Sequence, residues 1–194
     1  MLKTAFLTLL SLAMAISLGG GSVWYALNAQ DGVGAIRIGQ WTAFPEIGTQ
    51  DADPYSKARV AREGVLALGR AEGLSFIAER DESGAPLKRE CAYTIEGGYP
   101  TARFWTLYAA DKSLGVIDTG KARQAALQSY DVLRRPDNSV VITVGDRPAP
   151  GNWLLTGGFG KMYFVLTFYD TPIASSTGLS DVTLPRILKA GCHA

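Results

Sequence analysis

From Thr4 to Gln30 the chain carries no charge. Within it, Ala5 to Leu27 is 23 residues of mostly apolar character. A helix crossing the hydrocarbon of a bilayer needs about 20 such residues. Water solvates a run of this kind poorly, so every residue after it is constrained by where the run comes to rest. Lys3 precedes it and Asp31 is the first charge beyond it. The excess of positive charge on the cytoplasmic side then predicts an N-terminus in the cytoplasm and an exported remainder. Trp24 and Tyr25 sit near the outer end, where aromatic rings favour the headgroup level. The competing reading is a cleaved signal sequence, for which Ala13-Met14-Ala15 supplies a small-x-small pattern. Cutting there leaves an apolar stub from Ile16 to Leu27, so a retained single-pass anchor in the inner membrane is expected. The division predicted is residues 1–30 as anchor and 31–194 as an exported, periplasmic domain.

Taking Lys3 away leaves 18 basic and 18 acidic residues from Asp31 onward, a net charge of zero. Nucleic-acid binding draws on a basic surplus that is missing here, and none is expected. The apolar share of 47% is that of a globular chain, and 22 Gly with 9 Pro predict frequent turns. Of the two cysteines, Cys91 and Cys192, neither belongs to a CxxC pair. In an exported domain they are free to join and tether the C-terminal tail to the middle of the chain. The alternative is two unrelated buried thiols.

Asn28 to Gly34 reads as an exit from the membrane, and Ala35 to Phe44 as a strand ending at Pro45. One helix is predicted to start at Asp53-Pro54, with Asp as N-cap and Pro at the first helical position. Ala58, Ala61, Val65 and Leu68 share a face, and Gly69 or Gly73 ends it. Lys57, Arg59 and Arg62 read as its solvated side. Beyond this the pattern is β. Leu74–Glu79 and Leu87–Ile95 flank Asp81-Glu82-Ser83-Gly84 as a hairpin. Phe104–Ala109 and Val140–Val144 read as strands, Gln124–Arg134 is ambiguous, and Pro136-Asp137-Asn138 is a turn. Met162–Tyr169 is apolar on both faces: Phe164, Leu166 and Phe168 on one, Tyr163, Val165 and Tyr169 on the other. Such a strand belongs at the centre of a covered sheet. Seven or so short strands with one leading helix predict a mainly β, antiparallel sandwich.

Phe104-Trp105-Thr106-Leu107-Tyr108 followed by Asp111 resembles the central signature of the bacterial family catalogued as domain of unknown function 1214. Asn152-Trp153-Leu154 after Pro148-Ala149-Pro150, and Val165-Leu166-Thr167-Phe168-Tyr169, follow that family's order, so the resemblance spans about Leu87 to Pro172. It implies a jelly-roll-like sandwich and no particular reaction. In the family the domain often follows a partner domain; here the apolar segment stands in that place. Ala109-Ala110 before Asp111, and Leu155 where a Pro is usual, depart from the pattern. The turn roles of those two positions are therefore not implied.

Chemistry is sparse. His193 is the only histidine, which rules out a His-based zinc site by count, and no metal or cofactor is expected. Asp111, Asp118, Asp146 and Asp170 fall near strand ends, where a hydrolase could use two carboxylates as acid and base; Asp is also a common turn residue. Gly157-Gly158-Phe159-Gly160 lacks the Lys-Ser/Thr of a phosphate loop and reads as a turn. The aromatic set is the best hint of a site. Trp105, Tyr108 and Trp153, with Arg147 and Asn152, are predicted to line a ligand groove, unless the rings simply fill the core. The expectation is a binding or structural module of the cell envelope, facing a glycan, a lipid or another protein. A periplasmic hydrolase and an accessory subunit of a membrane complex are the alternatives.

Overall fold

The computed structural model describes residues 2–28, 34–63, 68–69, 72–120, 125–174 and 182–192. Helix α1 (Leu2–Asn28) is 27 residues long. Its apolar side chains face outward, away from any protein core. The hydroxyls of Thr8, Ser11, Ser17 and Ser22 donate to carbonyls three or four residues back at 2.6–3.0 Å. These bonds satisfy the four hydroxyls from within the helix. Mean hydropathy reaches 1.8 over Leu2–Leu27, enough in length and composition to cross a membrane. A signal sequence at an N-terminus has the same character.

Ten strands among the described residues form two sheets. The strands are β1 (Ile36–Ile38), β2 (Trp41–Ala43), β3 (Gly73–Ala78), β4 (Cys91–Gly97) and β5 (Phe104–Ala110). They continue as β6 (Ala126–Gln128), β7 (Val140–Gly145), β8 (Asn152–Leu155), β9 (Tyr163–Tyr169) and β10 (Arg186–Cys192). The larger sheet has the order β1-β2-β3-β9-β5-β6 and the smaller β10-β4-β7-β8. β9 lies at the centre of the larger sheet, as its two apolar faces require. One row of its inner face runs Phe76, Leu166, Leu107, Leu127 across four strands. Ile187, Ile95 and Ile142 form a row of the facing sheet. All are buried in one continuous core, each large side chain contributing about 1.5–3 kcal/mol over an exposed one. Tyr93 of the smaller sheet meets Phe164 of the larger edge to face, centroids 6.1 Å apart, a favoured geometry for paired rings. The architecture is a mainly β two-layer sandwich led by a long apolar helix.

Four sequence expectations are corrected here, and one ambiguous stretch is resolved. The single strand over Ala35–Phe44 is a hairpin: Ile38 pairs with Trp41 across a two-residue loop, with Gly39 at φ +58°. That conformation is easiest for glycine and folds the chain back on itself. Leu87–Ile95 is not one strand. Leu87 donates its N–H to Glu79, but from Cys91 the chain pairs with β10 and β7 in the other sheet. The predicted hairpin holds at its tip, where Arg80 pairs antiparallel with Pro86, and the chain then crosses to the other layer. Helix α2 (Pro54–Glu63) has the expected cap, Asp53 Oδ1 accepting from the N–H groups of Tyr55 and Ser56 at 2.9 and 3.1 Å. Its inward positions are Ser56 and Val60, while Ala58 and Ala61 are exposed. An alanine buries too little surface to fix a helix's rotation. Val65 lies outside the described residues. Within Gln124–Arg134 the described part forms strand β6 and a turn. Lastly, pairing is not wholly antiparallel, because β8 runs parallel to β7. Cys91 and Cys192 are cross-strand neighbours on β4 and β10 and form a disulfide.

Candidate binding surface

The five residues predicted to share a groove are placed in different layers. Trp105 is 2% exposed between the sheets, stacked on Tyr99 at 4.4 Å. Tyr108, three positions along β5, points to the opposite face by the alternation of a strand. Asn152 is buried and spent on backbone: its Oδ1 accepts from Leu133 N–H at 2.7 Å, and its Nδ2 donates to the carbonyls of Leu133 and Val141 at 2.8 and 2.9 Å. Trp153, between buried Asn152 and Leu154, faces outward from the smaller sheet and donates its indole N–H to Gly145. Arg147 is exposed in the loop joining β7 to β8. Trp105 is therefore a core residue and Asn152 a backbone staple. Of the five, Tyr108 alone lies on the surface that gathers other aromatics.

That surface is the outer face of the larger sheet. Register places Gly73, Tyr169 and Phe104 in one row. Ser75, Thr167, Thr106 and Gln128 form the next. The third holds Thr42, Ile77, Val165 and Tyr108. Phe104 and Tyr169 stack at 4.3 Å with their planes 4° apart, and Tyr130 lies over Phe104 at 6.2 Å. These rings, with Ile77 and Tyr108, cover the outward side of β9 well enough that Val165 and Thr167 are each only 4% exposed. The Thr167 hydroxyl is paired with that of Ser75 at 2.9 Å. Burial pushes the Tyr108 phenol above its ordinary range; its O–H reaches the Leu114 carbonyl at 3.4 Å. The result is a face of half-buried rings and hydroxyls with no charged side chain on β3, β9 or β5. The sequence carried half of this: Tyr163, Val165 and Tyr169 share a face by period. Which neighbour's rings they meet depends on cross-strand register, which no local pattern contains.

The four candidate carboxylates are exposed on separate turns. Asp111 Oδ1 accepts from the N–H and hydroxyl of Ser113 and from Gly115 N–H at 2.7–3.2 Å. The Ser113 hydroxyl bond is the main reason its carboxyl is held below the ordinary value. A general acid needs the opposite displacement. Asp118 accepts from Gly120 N–H at 2.8 Å, and Asp170 stands 3.8 Å from the Arg103 guanidinium. The glycine-rich segment 157–160 is a turn held by Arg89, whose Nε donates to the Gly157 carbonyl at 2.7 Å. Among the described residues no three His, Cys, Asp or Glu gather to hold a metal. His193 lies outside them.

Fold and face together define a two-layer β-sandwich led by an apolar helix. Residues 72–173, just over half of the chain, match the family described as Protein of unknown function (DUF1214). The chain belongs to that family. It is similar to the VPA0106 protein of Vibrio parahaemolyticus, whose crystal structure matches with a TM-score of 0.56 at 19% identity. That match covers 72% of this chain and 36% of the Vibrio protein, so the chain spans about a third of that relative's length. An uncharacterised protein of Burkholderia cenocepacia is similar at a TM-score of 0.40 and 19% identity, over 91% of this chain and 51% of its own. The Vibrio likeness concerns the fold alone. No curated protein matches the chain.

Proposed function

We propose that this chain is a single-pass protein of the inner membrane whose sandwich lies in the periplasm and serves as a binding or structural module. The observation that carries the reading is helix α1, long, apolar and outward-facing over its length. Stranding that surface in water is costly at roughly 25 cal/mol per Å². The disulfide between Cys91 and Cys192 supports the same side of the membrane, since such bonds persist in oxidising compartments. The outer face of the larger sheet is the contact surface in this reading. Its rings, hydroxyls and lack of charge suit a neutral glycan of the envelope.

Fusions of alkaline phosphatase and of a fluorescent protein after Ala194 test the placement. Phosphatase activity without fluorescence is expected. Activity confined to the cytoplasmic reporter overturns it. Retention of the chain in membranes washed at alkaline pH separates an anchor from a cleaved leader. Titration with envelope glycans, comparing the native chain with Tyr169→Ala, tests the face.

A further inference from the structure

We propose that the loop 129–135 is a foot that rests on the phospholipid surface beside the anchor, Tyr130 and Leu133 entering the headgroup layer and Arg134 and Arg135 meeting phosphates. The inference rests on α1 spanning a bilayer.

The strand directions bring the loop to the right end of the molecule. The chain comes from α1 into β1, and Ile36 pairs with Ala43. β2 then leaves toward the end of the sheet marked by Gly73, Tyr169 and Phe104. Helix α2 lies on that path, and its Arg62 donates Nη2–H to the Leu27 carbonyl at 2.8 Å. The last turn of α1 is thereby fastened to the segment that leads to this end. Loop 129–135 leaves the same end: Ser129 donates its N–H to Trp105 and follows directly on β6. It sits five strand spacings, about 24 Å, across the sheet from β1, and a flat bilayer surface reaches both edges.

The side chains match that location. Tyr130 and Leu133 are 73% and 70% exposed, three residues apart; Tyr130 rests one side of its ring over Phe104, its O–H 3.5 Å from the Arg103 carbonyl, and leaves the rest of the ring outward. Exposed large apolar groups gathered on one loop call for a partner. Leu133 does not project from a slack segment, for Asn152 clamps its N–H at 2.7 Å and its carbonyl at 2.8 Å. Arg135 N–H is further tied to the Ser139 carbonyl at 2.9 Å. A leucine held out by a rigid backbone is presented to something. Arg134 and Arg135 follow it, with Asp131 before them and Asp137 after; Arg134 Nη1–H donates to Asn138 Oδ1 at 3.2 Å, which fixes the guanidinium at the surface. An aromatic, a leucine and two arginines are the residue types that favour the membrane interface and its phosphates. Phe159 is 84% exposed too, but it precedes β9 at the opposite end of the sheet. It serves as the internal control.

The full chain in nanodiscs rich in phosphatidylglycerol tests the foot. An environment-sensitive NBD label is placed through Leu133→Cys, or through Phe159→Cys, with the native cysteines left as their disulfide. At position 133 blue-shifted emission is expected, with iodide quenching several-fold weaker than at 159. With Arg134→Glu and Arg135→Glu added, quenching at 133 should rise to the level at 159. Equal quenching of the two labels in the native background overturns the inference while leaving the anchor intact. Shielding that survives charge reversal overturns the phosphate contact. Failure of the chain to enter nanodiscs overturns the anchor reading, and the foot with it.

Discussion

Asp81, Asp111 and Asp137 each accept, through Oδ1, both the N–H and the hydroxyl of the serine two residues on, at 2.6–3.0 Å. One Asp-x-Ser unit thus turns the chain three times, with a positive φ nearby at Gly84, Leu114 and Asn138. Short polar side chains that bond their own backbone make such turns. The serine hydroxyl is the first cause of the lowered carboxyl at Asp111 and Asp137, and Ser56 does the same for Asp53. The folded state therefore holds these protons more weakly than the unfolded chain does. Their contribution is complete above the ordinary value of 3.8 and is lost as pH falls through the folded values below it. The melting temperature should be flat with respect to these groups near neutrality and drop below about pH 4, and Asp111→Asn with Asp137→Asn should reduce that slope. Trp105 and Tyr108, three apart on β5, show how the alternation of a strand decides a role. Trp105→Ala should cost roughly 3–5 kcal/mol as a core truncation, read from thermal unfolding of the chain in mild detergent. Tyr108→Ala, half outside, should cost distinctly less.

At the level of elements, β9 and β8 are opposite cases. β9 declares itself through five consecutive buried residues, Phe164 to Phe168, inside a seven-residue strand. β8 is four residues long and is held where it is by a side chain. Asn152 replaces the strand that β8 lacks on its outer side, bonding Leu133 there and Val141 within the sheet. This lets a six-residue loop, 146–151, lead into a parallel pair, which ordinarily needs a dozen residues or more. Asn152→Ala would leave buried backbone groups unpaired, at about 1–3 kcal/mol for each such group. Hydrogen exchange should show the amides of β8 and of Leu133 opening first. The resemblance of Asn152-Trp153-Leu154 to the family's motif thus marks a position of structural consequence, and Trp105 and Tyr108 lie on other faces of the sandwich. Period and composition made the long apolar helix, the cap at Asp53 and the central strand legible. The β1–β2 fold-back and the crossover at residues 87–90 were not, since each turns on one residue's φ or on a partner strand far along the chain.

For the molecule as a whole, the disulfide closes a loop of 101 residues and fastens β10 to β4. Constraining an unfolded chain over such a span is worth about 4–5 kcal/mol on the chain-entropy account. Reduction, or Cys91→Ser with Cys192→Ser, should lower the melting temperature by roughly 10–20 °C for a domain of this size, measured by scanning calorimetry with and without reductant. Much of this architecture follows from local chemistry read in order along the chain. An uncharged apolar run as long as a bilayer is thick reads as a helix long enough to cross one, and alternating apolar residues read as strands with one face inside. Which strands meet, which rings stack, and that Trp105 lies between the sheets while Tyr108 and Trp153 lie on opposite outer faces, was settled only when the chain folded. Those outcomes depend on pairings between residues tens of positions apart, and the energy that selects a pairing belongs to the two strands together and to neither alone.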